Sequence, residues 1–241
     1  MLEHRMTRVG LYGLFLFCAA VMVLPAEAAE HSAITPVGRE QPWWIKRHEL
    51  INKRARQGDI DLIFLGDSIT QGWNDNAVWR KYYGKRKAAN MGIGGDRTQH
   101  VLWRLDHGNV DGLSPKLVVL MIGTNNSNGT DNTAEEIADG VKAIVHRLRE
   151  KLPQTKILLL AIFPRGQKPN PQREKNAEAS RLSSKLADGK MIYYMDIGKK
   201  FLEPDGTIRK EIMPDYLHPT LDGYRIWAAA IEDQVSKLLG E

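Results

Sequence analysis

Residues 61–70 read DLIFLGDSIT and residues 117–126 read LVVLMIGTNN. In both stretches a short apolar run ends in glycine and small polar residues. Runs of this length, apolar on both sides and partly β-branched, are typical of parallel strands that are covered on both faces. The sequence therefore predicts five strands: Asp61–Leu65, Lys87–Met91, Leu117–Ile122, Lys156–Ile162 and Met191–Asp196.

Longer amphipathic stretches separate these runs and predict helices. Thr133 and Glu136 have the spacing of a capping box, and a stripe of apolar residues follows them. The other predicted helices are Trp43–Arg56, Thr98–Leu105, Pro171–Leu186 and Thr220–Leu239. We expect Trp43 and Trp44 to dock the first of these helices on the sheet. Strands that alternate with helices predict a doubly wound α/β sheet, in which ligands bind at the carboxyl ends of the strands.

The residues that follow the predicted strands are unusually rich in reactive and hydrogen-bonding groups. Gly66-Asp67-Ser68 follows the first strand, Gly92–Asp96 the second and Gly123–Asn126 the third. Asp215 and His218 lie beyond the fifth strand, three residues apart. We expect all of them along one edge of the sheet.

Ser68, His218 and Asp215 can supply a nucleophile, its base and the group that orients the base. A serine hydroxyl is a weak nucleophile until a base removes its proton. Asp215 can hold the ring of His218 in the required tautomer if a tight turn brings the two groups to one side. The tetrahedral intermediate also needs donors aimed at its oxyanion. The candidates are the backbone N–H groups of Ser68 and Gly95 and the side-chain amide of Asn125.

These motifs resemble the four blocks of the SGNH hydrolases, also called GDSL esterases. Gly66-Asp67-Ser68 matches the first block, Gly95 the second, Gly123-Thr124-Asn125 the third and Asp215-x-x-His218 the fourth. Within that family the chain most resembles the catalytic subunits of type Ib platelet-activating factor acetylhydrolase. Residues 92–96, 100–105 and 164–176 carry this second likeness, and the whole resemblance spans residues 41–240.

The resemblance implies a three-layer, flavodoxin-like sheet and a serine esterase with a Ser68–His218–Asp215 triad. It implies an oxyanion hole of Ser68, Gly95 and Asn125, and a short acyl pocket bordered by Thr124 and Leu217. The animal enzymes differ after the nucleophile, where this chain has Trp73. We expect Trp73 to lie at the rim of the site, where it can stack on a sugar ring of the substrate.

Residues 1–28 have the pattern of a signal peptide. Arg5 and Arg8 precede an apolar run, Leu11–Leu24, and Ala26-Glu27-Ala28 is a suitable cleavage site. The run is shorter than the stretch of about 20 residues that spans a bilayer, although an uncleaved anchor is the competing interpretation. We therefore expect an exported protein, periplasmic or extracellular, with no stable membrane span after cleavage. Cleavage would also remove Cys18, the only cysteine.

The composition and charge of the chain exclude several classes of protein and of ligand. With 42% hydrophobic and 26% charged residues, the 241-residue chain can form a packed core, and no linker or repeat divides residues 29–241. The net charge of +5 comes from scattered basic residues, so we expect no nucleic-acid partner. The Gly92–Gly95 loop lacks the third glycine of a dinucleotide-binding motif, and no metal-ligand spacing is present. We therefore expect no cofactor and no metal.

Three functions fit these observations. The first is a serine esterase that removes short acyl groups, with acetyl favoured, from a small-molecule, glycan or lipid ester. The second is an acyl transferase that uses the same site on a glycan. The third is a non-catalytic glycan-binding module, although such a module would not need Ser68, Asn125, Asp215 and His218 together. The loop Arg165–Pro171 is either a wall of the substrate site or a subunit contact, so a homodimer is left open.

Overall fold

The computed structural model describes residues 1–2, 30–74 and 76–241. The predicted signal peptide, residues 1–28, and Cys18 with it therefore lie almost entirely outside the described residues. Within the part that is described, no helix is both long enough and apolar enough to cross a membrane.

All five predicted strands are present and form one parallel sheet in the order β2-β1-β3-β4-β5. Their bounds are β1 Leu62–Gly66, β2 Ala88–Gly92, β3 Leu117–Met121, β4 Lys156–Leu160 and β5 Ile192–Met195. This is the strand order of flavodoxin-like sheets. The chain adds β2 on one side of β1 and then β3, β4 and β5 on the other side, so the strand order reverses between β1 and β3. The predicted flavodoxin-like, doubly wound fold is confirmed.

Seven α-helices connect the strands in the described residues. They are α1 Pro42–Arg56, α2 Ser68–Gln71, α3 Ala77–Tyr83, α4 Thr98–Asp106, α5 Ala134–Lys151, α6 Pro171–Ser183 and α7 Leu221–Leu239. The capping box of α5 forms as predicted, because Thr133 and Glu136 each accept a hydrogen bond from the other's backbone N–H. The predicted helix 171–186 ends as an α-helix at Ser183, and a tighter 3-10 turn, Ser184–Leu186, completes it. The short α3 was not predicted, although its N-cap Asn76, whose side chain accepts from the N–H of Trp79, is a sequence signal for it.

Two apolar clusters, one on each face of the sheet, make three layers. Alternate side chains of β1 point to opposite faces of the sheet. Ile63 and Leu65 pack in the cluster with α1, α4 and α5, whereas Leu62 and Phe64 pack in the cluster with α3 and α7. Strands β1 and β3 are buried along their whole length and carry only apolar side chains and glycine. The polar residues that follow them therefore lie beyond the ends of these strands.

A buried ion pair fastens the carboxyl ends of β1 and β2 together. Arg104 on α4 is 0% exposed, and its Nε donates to Asp96 at 2.8 Å. Its other nitrogens donate to the carbonyls of Met91 in β2, at 3.0 Å, and Gly66 in β1, at 3.3 Å. The loop after β2 is therefore tied to both strands through one side chain.

Replacing Arg104 should be far more damaging than replacing a surface arginine, because it leaves the carboxylate of Asp96 buried without its partner. We expect Arg104→Met to lower the free energy of unfolding by about 3–5 kcal/mol. The matched control is Arg225→Met, which removes the exposed pair between Arg225 and Asp222 on α7 and should cost less than about 1 kcal/mol. Urea unfolding of both variants is the measurement. If both variants lost the same free energy of unfolding, the structural role assigned to the buried pair would be wrong.

Candidate active site

The candidate site lies at the carboxyl edge of the sheet. Ser68 follows β1, Gly95 follows β2 and Asn125 follows β3, while His218 lies in the loop that leads into α7. Because β1, β2 and β3 are adjacent parallel strands, their following loops converge at one end. Such sheets bind ligands at the topological switch point, where the strand order reverses, which here lies between β1 and β3.

The turn that carries Ser68 is held tightly by its neighbours. Asp67 is the N-cap of α2, and its carboxylate accepts the backbone N–H of Ile69 at 3.0 Å. Gly66 has no room for a side chain, since a Cβ there would lie 2.3 Å from the carbonyl oxygen of Met121. Ser68 is the first residue of the helix, so its own N–H makes no intrahelical hydrogen bond. That N–H is available to a ligand.

Asp67 is almost fully buried, and this changes its protonation. Burial raises the pKa of Asp67 to about 7, against the opposing effect of the hydrogen bond from the Ile69 N–H. The carboxyl group beside Ser68 is therefore largely uncharged just below neutral pH. Less negative charge then faces any oxyanion that forms next to Ser68.

A continuous chain of hydrogen bonds joins Asp215, His218 and Ser68. The Nδ1 of His218 lies 2.6 Å from Oδ2 of Asp215, and its Nε2 lies 2.8 Å from Oγ of Ser68. The other carboxylate oxygen of Asp215 accepts the backbone N–H groups of His218, at 2.8 Å, and Leu217, at 3.1 Å. Tyr216, between them, has the left-handed φ of +58° that this turn requires. The tight turn demanded by the three-residue spacing is thus present.

These contacts also keep Asp215 ionised. Its partial burial opposes ionisation, but the hydrogen bonds from the backbone and ring of His218 and from the Leu217 N–H outweigh it. The pKa of Asp215 is therefore below its ordinary value. A permanently charged carboxylate can hold the imidazole of His218 with Nδ1–H as the donor and Nε2 free to accept from Ser68.

The two further predicted oxyanion donors, Gly95 and Asn125, lie in the loops that follow β2 and β3. Gly95 has the predicted positive φ, at +71°, which an L side chain rarely adopts. Its neighbour Gly94 lies against Ser68, because a Cβ built on Gly94 would be 3.8 Å from the Cβ of Ser68. Asn125 donates one side-chain N–H to the carbonyl of Asp96 at 2.9 Å, and its second N–H has no partner among the described residues. The orientation of Asn125 is therefore fixed while one donor remains available.

Thr124 and Leu217, the predicted borders of an acyl pocket, have different environments. Thr124 is 2% exposed, whereas Leu217 is half-buried and packs against the cluster of α3 and α7. Arg165 holds Thr124 in place, since it donates to the Thr124 carbonyl at 3.1 Å and to Asn128 at 3.1 Å. Arg165 begins the loop 165–171, for which the sequence left a substrate wall and a subunit contact open. Its contacts place the start of this loop against Thr124 and Asn128.

The prediction for Trp73 is wrong. Its indole is 0% exposed and packs against Tyr224, at 4.4 Å between ring centroids, and Trp227, at 5.0 Å. The helix α2 ends after one turn at Gly72, which lies against the hydroxyl of Tyr224. The chain therefore turns inward at Trp73 and not outward to the rim. Trp73 cannot stack on a substrate in this structure.

The prediction for the two tryptophans of α1 is half right. Trp44 is 1% exposed and docks the helix, with its indole N–H donating to Asp96 at 2.6 Å. Trp43, one residue earlier, is 52% exposed. Successive residues of a helix point about 100° apart, so only one of the pair can face the sheet.

Other features of the described residues do not extend this site. A cavity of about 350 Å³ between α6 and the end of β5 is lined by Ile162, Tyr194, Leu202 and their neighbours and lacks Ser68 and His218. In residues 30–74 and 76–241, no three His, Cys, Asp or Glu side chains are grouped so that they could hold a metal ion. The chemistry that the site can perform is transfer of the Ser68 proton to His218, with donors ready for a negatively charged oxygen.

Comparison with known proteins agrees with this geometry. The model of the GDSL-like lipase/acylhydrolase family matches residues 64–226. The alpha2 subunit of platelet-activating factor acetylhydrolase IB from Rattus norvegicus is 39% identical over 202 residues, which cover 82% of this chain and 86% of the relative.

Solved structures share the fold at low sequence identity. A GDSL-like lipase from Bacteroides thetaiotaomicron has a TM-score of 0.60 at 20% identity, over 80% of this chain and 97% of that chain. Est24, a carbohydrate acetylesterase from Sinorhizobium meliloti, has a TM-score of 0.56 at 21% identity, over 74% and 99% of the two chains. With its family model and a 39% identical relative both covering most of its length, the chain belongs to the GDSL-like lipase/acylhydrolase family and is a carboxylic ester hydrolase.

Proposed function

We propose that this chain is an exported serine esterase that removes acetyl or similarly short acyl groups. Ser68 is the nucleophile, His218 the general base and Asp215 the group that orients the base. The observation that carries the proposal is the unbroken chain from Asp215 to His218, at 2.6 Å, and from His218 to Ser68, at 2.8 Å. Export rests on the signal-peptide pattern of residues 1–28 alone.

The proposed reaction has two steps, both run through His218. In the first, Ser68 attacks the ester carbonyl while its proton passes to Nε2 of His218, which then gives that proton to the leaving alcohol. In the second, His218 takes a proton from water as the water attacks the acyl-enzyme. The bond between the acyl carbon and Oγ of Ser68 then breaks, the carboxylic acid leaves, and His218 returns the proton to Ser68. The N–H groups of Ser68 and Gly95 and the free amide N–H of Asn125 stabilise the oxyanion in both.

Hydrolysis is favoured over acyl transfer to a glycan by the openness of the site. The side chains of His218 and Asp215 are 43% and 53% exposed, so water reaches the base without any rearrangement. A purely glycan-binding role does not account for an imidazole held between a carboxylate and a serine hydroxyl. The relatives support acetyl as the acyl group, since they are named platelet-activating factor acetylhydrolase and carbohydrate acetylesterase.

Removing the nucleophile tests the proposed function directly. The wild type should hydrolyse p-nitrophenyl acetate, and Ser68→Ala should lower kcat by on the order of 10⁴–10⁶. His218→Ala should lose about as much, because nucleophile and base act as a unit. The matched control is Ser114→Ala, an exposed serine in the loop before β3, which should leave the rate unchanged. Hydrolysis that survives in Ser68→Ala would refute the assignment.

Asn125 should act on the transition state and not on substrate binding. We expect Asn125→Ala to lower kcat by on the order of 10²–10³ with little change in KM, the usual cost of one oxyanion donor. Steady-state kinetics with p-nitrophenyl acetate separates the two parameters. A variant that mainly raised KM would instead identify Asn125 as a group that binds the substrate.

Activity should fall as the pH is lowered, because protonated His218 cannot accept the serine proton. Asp215 should not contribute to this acid limb of kcat/KM, since its pKa lies below its ordinary value, whereas Asp67, whose pKa is about 7, is a second group beside Ser68 that titrates in this range. Asp67→Asn should keep that limb, because asparagine can still accept the Ile69 N–H. A profile that is flat down to about pH 4, or that loses its limb in Asp67→Asn, would contradict His218 as the base.

The acyl group should be short. Thr124 is buried and Leu217 packs against the core, so a long acyl chain would have to displace packed side chains, at about 1–3 kcal/mol. We therefore expect kcat/KM for acetate to exceed that for butyrate by about ten- to a hundredfold, and Leu217→Ala to reduce the difference. The measurement is kcat/KM across p-nitrophenyl acetate, butyrate and octanoate. Octanoate hydrolysis as fast as acetate hydrolysis in the wild type would contradict a short pocket.

A further inference from the structure

Trp43 is an indole that the fold leaves in water. It is 52% exposed, and among residues 30–74 and 76–241 no other Trp, Tyr or Phe side chain is exposed. Its N–H has no hydrogen-bond partner within the described structure. A single exposed apolar side chain is ordinary on a protein surface, but an indole with an open face and a free N–H can both stack on a ligand and donate a hydrogen bond to it.

A short series of contacts connects Trp43 to the nucleophile. The guanidinium of Arg39 lies over the indole, with Cζ 5.0 Å from the ring centroid. Arg39 also donates to the carbonyl of Gly94 at 3.0 Å, and Gly94 lies directly against Ser68. Arg39 and Gly94 therefore link Trp43 to Ser68, and Trp43 lies beyond the Gly94–Gly95 loop as seen from the nucleophile.

The position of Trp43 indicates which half of the substrate it meets. On the proposed esterase function, the acyl group is confined near Thr124 and Leu217. An acetyl group has only a methyl beyond its carbonyl and cannot extend past the Gly94–Gly95 loop. A group that reaches Trp43 must then belong to the alcohol half of the ester.

The charges around the site narrow the chemistry of that alcohol. An indole with both faces open can bind a quaternary ammonium group through a cation–π interaction. Here the guanidinium of Arg39 already covers one face of the ring and would repel a second cation placed there, although Asp96 lies 3.9 Å from Arg39. A sugar-like, uncharged ring can stack its C–H groups on the open face of the indole, and one of its hydroxyl oxygens can accept a hydrogen bond from the indole N–H.

We propose that Trp43 and Arg39 form a binding site for a sugar ring of the alcohol half of the substrate. The role that the sequence suggested for Trp73 then belongs to a different tryptophan. Because Trp43 makes no contact with Asp215 or His218 and lies beyond the oxyanion loop, this site governs which ester is chosen and leaves the chemical steps to the triad.

The test compares a sugar ester with an ester that has no sugar. We expect Trp43→Ala to lower kcat/KM for an acetylated xylo-oligosaccharide about tenfold relative to kcat/KM for p-nitrophenyl acetate, mainly through KM. Trp43→Phe should recover part of this loss, because it keeps an aromatic face. The control is Leu50→Ala, which removes another exposed apolar side chain of α1, 51% exposed, and should leave the ratio unchanged.

Calorimetry on Ser68→Ala makes the result independent of turnover. This variant should bind the acetylated xylo-oligosaccharide, and the double variant with Trp43→Ala should bind it about tenfold more weakly. Equal binding by the two proteins, or an unchanged kinetic ratio in Trp43→Ala, would overturn the sugar site. So would a wild type that cleaves p-nitrophenyl acetate and a choline-headgroup lipid acetate but no acetylated sugar. In each of these cases the serine-esterase proposal would stand, whereas activity that persists in Ser68→Ala would refute that proposal alone.

Discussion

The buried carboxylate of Asp96 is the constraint on which the site depends. Arg104 pairs with it and holds the ends of β1 and β2, while the indole N–H of Trp44 docks α1 on the same carboxylate. The backbone carbonyl of Asp96 accepts one N–H of Asn125. The loop after β2, the first helix and an oxyanion donor are therefore positioned by one residue. Burying charges is costly, and the cost is offset here by hydrogen bonds to every side of the pair.

A site built in this way is organised before a substrate arrives. The carboxylate of Asp215 uses one oxygen to close its own turn and the other to fix the ring of His218, so the base needs no rearrangement to accept from Ser68. Preorganised dipoles of this kind are the largest single contribution to catalysis in many enzymes. Burial of Asp67 acts in the same direction, since it raises the pKa of this carboxyl group to about 7 and so disfavours a second negative charge next to Ser68.

The features that could be predicted from the sequence depend on local patterns. Runs such as LIFLG and LVVLM are apolar on both faces, and that pattern alone indicates a covered parallel strand. The three-residue spacing of Asp215 and His218 likewise contains the turn that brings them together. Both are properties of a few consecutive residues, so no knowledge of the distant chain was needed.

The errors arose where contacts join residues far apart in the chain. Trp73 follows the nucleophile by five positions, but its burial depends on Tyr224 and Trp227 of α7, some 150 residues later. Trp43 and Trp44 are equivalent by composition, and only the way α1 docks on Asp96 decides which one is exposed. Arg104 links two strands, and this role depends on the positions of Gly66 and Met91, which no local pattern contains.

The most direct test of the central claim is the identity of the atom that attacks the ester. Diethyl p-nitrophenyl phosphate reacts covalently with an activated serine, and mass spectrometry of the intact chain and its peptides locates the adduct. We expect one diethylphosphoryl group per chain, on Ser68, with labelling abolished in His218→Ala because the hydroxyl is no longer activated. An adduct on another residue, or equal labelling of Ser68 when His218 is absent, would contradict this expectation.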